Sequence, residues 1–82
     1  MDFARLVEMQ KEIAAKEVAY MRGLAEGYRT RCIQTMQEGR PDPWGMAHFV
    51  KLHAEAEGYE RAARELLDAL ALAVPPAANA ES

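Results

Sequence analysis

From Phe3 to Met36 the apolar residues return every three or four positions rather than every second one, which is the period of an α-helix with one greasy side. Val7, Ala14, Val18, Met21, Ala25, Tyr28 and Cys32 form one stripe, and Leu6, Ile13, Tyr20 and Leu24 form a second beside it. At 100° per residue the two stripes together span an arc of roughly 160°, wider than one neighbouring helix covers. The opposite arc carries Arg5, Glu8, Lys11, Glu12, Arg22, Glu26 and Arg29, the composition of a side that faces water.

The pattern stops at Gly39, a residue that ends helices by taking the left-handed conformation, and Arg40-Pro41 cannot continue it. Asp42 followed by Pro43 reads as the cap and first turn of a second helix, because the cap side chain satisfies a free N–H and proline has none to waste. From there Phe49, Leu52, Ala56, Tyr59, Ala63, Leu66, Leu70 and Ala73 follow steps of three and four, a heptad seam that alternates large and small residues. Pro75-Pro76 closes the second helix, and residues 77–82 show no apolar period. The expected organisation is therefore helix 1 at about 2–38, a turn at 39–42, helix 2 at about 43–74, and a disordered tail over 75–82. So short a connection folds the helices back on each other, and the fold class is all-α, an antiparallel two-helix hairpin.

Length changes this picture. A chain of 82 residues supports one domain at most, and one this small rarely has enough interior to stand alone. A single cysteine rules out an internal disulfide, and no metal motif is present, so oligomerisation is the remaining support. Self-association into a four-helix bundle, through Val7, Val18, Met21, Tyr28, Phe49, Leu52, Tyr59, Leu66 and Leu70, is the expected consequence. Charge is consistent with helix pairing: residues 1–40 hold seven Lys/Arg and six Asp/Glu, whereas residues 41–82 hold three and seven. No apolar run reaches the roughly 20 residues of a membrane span and no secretory signal pattern opens the chain, so a cytoplasmic location is expected.

Candidate chemistry is sparse. His48 and His53 are five residues apart, about 140° around a helix, and cannot grip one ion; His53 with Glu57 makes only an ordinary contact pair. Cys32 lies on the apolar stripe near a helix C-terminus, where the helix dipole disfavours a thiolate, so it reads as a small core residue. There is no nucleophile elbow, phosphate loop or dinucleotide fingerprint, so no catalytic residue, metal or cofactor is assigned and the chain is not expected to be an enzyme.

Binding is the reading that remains. Trp44, at the edge of the seam, with Met46 and Val50 on the polar side of helix 2, are residue types enriched in protein contacts and mark the turn end as a partner surface. Arg22, Arg29, Arg31 and Arg40, with Tyr20 and Tyr28 nearby, are the basic concentration that would serve an alternative role in binding RNA or a phosphorylated small ligand. The interspersed glutamates and net charge of −3 argue against it. The leading expectation is a homo-oligomeric hairpin that binds and regulates or adapts another protein; a phage-type inhibitor or a secretion chaperone is a fold-level analogy of the same kind.

Three smaller features carry expectations. Glu17 and Gln10 fall inside the apolar arc, where Glu17 either meets a cation such as Arg31 or stays wet at an edge. Gly23 and Gly27 are spaced for close backbone approach or for a bend. The segment 25–29 echoes 56–60, and folding about Pro41 brings both copies to one height.

Overall fold

A computed structural model describes residues 2–73 and contains two helices, α1 (Phe3–Gln37) and α2 (Pro43–Leu72), packed against each other as a hairpin. The expected tail and the last residue of the expected second helix lie outside the described residues.

Local chemistry fixes each end. Asp2 caps α1, its carboxylate accepting from the N–H of Ala4 at 2.8 Å and of Arg5 at 3.3 Å, so the cap falls on the first residue of the expected helix. Gly39 adopts φ +79°, Arg40 N–H reaches back to Thr35 O at 2.9 Å and Gly39 N–H to Met36 O at 3.0 Å. That pair of bonds is the Schellman termination, which ties up carbonyls the helix end leaves free. Asp42 caps α2 through Gly45 N–H at 3.0 Å, with Pro43 in the first turn.

The α1 stripe packs as its sequence implies: Val7, Val18 and Ala25 are buried, and Ala14, Met21, Tyr28 and Cys32 are half-buried against α2. The α2 seam follows the heptad pattern through Phe49, Leu52 and Ala56 and keeps Ala63 and Leu70 half-buried beyond them, but departs from it at Tyr59 and Leu66. Leu67, not Leu66, turns inward, Tyr59 is left exposed, and Leu66 is 60% exposed. A helix at 3.6 residues per turn drifts about 20° per heptad from a 3.5-residue stripe unless it supercoils, and the inward positions Gly45, Ala56 and Leu67 instead follow an 11-residue repeat. Strict heptad spacing is thus corrected in the second half of α2.

Ala25 and Ala56, at 3% and 0% exposure, are the two most buried of the four core apolar residues, and they sit in the echoed segments. The arrangement places the small members of the echo at the hairpin's waist, whereas the tyrosines diverge, Tyr28 being half-buried and Tyr59 exposed. The core is thin: four apolar residues are buried, against thirteen large apolar residues that stay exposed among the described residues. No helix of the described residues is long and apolar enough to cross a membrane.

Candidate functional site: the turn end and the two faces

The densest side-chain network is at the turn. The Asp42 carboxylate, 8% exposed, accepts from Gly45 N–H, receives Arg31 Nε at 3.2 Å, and stands 3.9 Å from Cys32 Sγ. One acidic group therefore caps α2 and pins it to α1. A Cβ at Gly45 would lie 2.8 Å from Asp42 Cγ, so any larger residue there has to displace the capping carboxylate. Asp42 is the expected cap, whereas Gly45 is a further member of this network, for which a glycine three residues after a capping Asp was the available signal.

Arg31, held by Asp42, lays its guanidinium 4.9 Å from the centre of the Trp44 ring, an attraction between cation and π face. Trp44 also meets Tyr28 edge-on at 5.5 Å and His48 at 4.1 Å, and His48 Nδ1 lies 2.9 Å from Trp44 O. Half of Trp44 nonetheless faces outward, at 52% exposure. Met46 and Val50 are exposed on the other side of α2, about 120–160° around the helix from Trp44. The three expected partner contacts thus belong to two surfaces. Met46 joins Met36, Pro41, Pro43 and Cys32 around an apolar hollow of about 250 Å³.

The Cys32 thiol is held protonated. Desolvation raises its pKa above the ordinary thiol value, the Asp42 charge and hydrogen bond raise it further, and Arg31 opposes them. A protonated, half-buried thiol is a poor nucleophile.

The four arginines do not converge. Arg22 pairs with Glu60 across the helices at 3.1 Å, Arg29 with Glu26 at 3.1 Å, Arg31 with Asp42, and Arg40 with Glu38. Each has a carboxylate partner; Arg22 and Arg29, seven residues apart, share one side of α1, and Arg31 lies on the other. Glu17 is exposed, and Arg31 is engaged by Asp42 instead, so the interior pair considered for them is not formed. Added Cβ atoms at Gly23 and Gly27 would meet nothing within 4 Å, so no backbone of this chain approaches them closely. His53 Nε2 lies 3.1 Å from Glu57 Oε1, an exposed i, i+4 contact.

Of the residues expected to serve self-association, Val7, Val18, Met21, Tyr28, Phe49, Leu52 and Leu70 are occupied, wholly or in part, in joining α1 to α2, whereas Tyr59 and Leu66 remain open. The opposite side of the hairpin is different in kind: Ala14, Ala15, Ala19 and Ala63 floor a groove of about 570 Å³ rimmed by Lys11, Arg22, Glu60 and Arg64.

Comparison with protein-family models, with curated proteins and with solved structures finds no match for this chain. The class rests on the coordinates alone: an all-helical two-helix hairpin.

Proposed function

We propose that the protein is a non-enzymatic helical hairpin that self-associates and acts by occupying a surface of another protein. The observation that carries this reading is the ratio of four buried apolar residues to thirteen exposed large ones, with the exposed residues gathered in stripes and clusters. Scattered apolar groups need no explanation, whereas contiguous ones mark surfaces that bind. Self-association covers the long stripes and builds a four-helix bundle. The turn end supplies the partner contact: Met46 and Val50 with Met36 on one side offer deformable apolar surface, and Trp44 on the other offers a rigid aromatic edge.

The test is affinity capture from the native host with nuclease-treated extract, comparing Met46→Asp and Trp44→Ala with the double variant Arg22→Ala/Arg29→Ala. The proposal expects a protein retained by the wild type and the arginine variant and lost by a turn-end variant. Retention of nucleic acid alone, lost with the arginines, sinks it in favour of a polyanion binder.

A further inference from the structure

Self-association as proposed above does not specify a face or an orientation, and the register of the hairpin supplies both. Taken at 100° per residue, Leu6, Ile13, Tyr20 and Leu24 lie about 80–120° to one side of the α1 seam, and Tyr59 and Leu66 about 50–70° to one side of the α2 seam. Contacts between the helices show that these are the same side. Arg22 and Glu60, displaced in the opposite sense on their helices, meet at 3.1 Å on the alanine-groove face; Arg31 and Trp44, displaced in the stripe sense, meet on the other. Six exposed side chains therefore share one broad face. The Arg22–Glu60 contact also sets heights, bringing Tyr20 within about one helical turn of Tyr59 and Ile13 within about one turn of Leu66.

We infer that a second copy of this chain docks on this face, with both turns at the same end, so that each α1 lies against the α2 of the other copy. The inference rests on the proposed self-association and makes it specific. Area is sufficient even with the Trp44 end left free for the partner: two helices side by side, about 20 Å wide over about 40 Å of overlap, present on the order of 800 Å², the roughly 800 Å² per partner of a stable interface.

Charge selects the occupant's orientation. α1 holds six Lys/Arg and four Glu, net +2, and α2 three Lys/Arg and five Asp/Glu, net −2. Stacking with turns together sets each α1 on an α2 of opposite sign, whereas stacking with turns apart sets α1 on α1 and α2 on α2. Lys16 and Glu65 sit at the outer rims of this face at one height, and neither is in an ion pair among the described residues. With turns together, Lys16 comes level with Glu65 of the second copy, twice by symmetry. Turns apart, it comes near its own copy.

The experiment uses full-length chains carrying Cys32→Ser, with single cysteines introduced by Ile13→Cys, Leu66→Cys or Glu17→Cys, alongside sedimentation of the wild type. The expected results are a wild-type dimer and a disulfide between I13C and L66C chains when the two are mixed and oxidised. Leu66→Asp, at an exposed site that leaves helical circular dichroism intact, should weaken the dimer roughly tenfold or more. Cross-linking of E17C with itself, without the I13C–L66C product, overturns the orientation. A wild-type dimer that neither cross-links through this face nor responds to Leu66→Asp overturns the choice of face and leaves self-association standing. A wild type that is monomeric at about 100 μM, weaker than a functional homodimer requires, removes both.

Discussion

The two broad faces of the hairpin are built from the same two helices and the same registers, yet one is closed by charge and the other is open and greasy. On the alanine-groove face small residues line the floor, and Arg22 and Glu60 span the helices. On the stripe face Ile13, Tyr20, Leu24 and Leu66 stand 42–63% exposed. The difference teaches that helix phase, not composition, decides where a small protein keeps its unfinished surface. A rotation of roughly one residue, 100°, would carry the α1 stripe off this face and into the seam.

The same charge placed on either face should have unequal consequences. Tyr20→Asp should raise the dimer dissociation constant about 30-fold, near 2 kcal/mol, whereas Ala15→Asp on the groove face should leave it unchanged within about twofold. Sedimentation equilibrium measures both, and equal effects would show that the faces are not distinct. Asp42→Ala acts on the hairpin itself. Loss of the α2 cap and of the Arg31 contact should cost about 2 kcal/mol in urea unfolding, with Asp42→Asn, which keeps a capping oxygen, costing about half.

A finer test concerns Glu17, an exposed carboxylate at the inner margin of the stripe face. Covering it without a cation opposes association, so Glu17→Leu should tighten the dimer about tenfold, and weaker binding would argue that a cation meets it there. On the groove face Arg22→Ala should change stability by only about 0.2–1 kcal/mol, because the ion pair it breaks is half in water.

The smallest effect belongs to Cys32. Its raised pKa means that the folded thiol gives up its proton less readily than the unfolded one. The associated stability is complete at neutral pH and is lost as pH rises past the ordinary thiol value near 9. Unfolding monitored from pH 7 to 10 should show that decline in the wild type and a smaller one in Cys32→Ser. Alkylation of Cys32 in the folded chain should be slower than in urea at the same pH.

Much of the architecture was legible along the chain because it depends on short-range chemistry. Gly39 before Arg40-Pro41 needs only its freedom at positive φ to stop α1, and Asp42-Pro43 needs only neighbouring N–H groups to start α2. The α1 stripe was equally plain, since Val7, Val18 and Ala25 are inward by period alone. Less could be read where two helices must agree. Leu66 and Leu67 are adjacent and chemically identical, and which of them faces α1 depends on accumulated drift between a helix and its neighbour. The turn end was half visible: Trp44, Met46 and Val50 are conspicuous as residue types, but their separation onto two sides follows from where α1 lies.

Two helices, their caps, the reversal between them and more apolar surface than one hairpin encloses were already written along the chain, because each follows from backbone conformation or from period within one segment. It took the packing of the two helices to send Arg31 to Asp42 and Trp44 rather than to Glu17, to press Gly45 against the capping carboxylate, and to bring Leu6, Ile13, Tyr20, Leu24, Tyr59 and Leu66 onto one face. Those outcomes depend on the relative rotation and register of α1 and α2, quantities set by packing between segments that neither helix encodes alone.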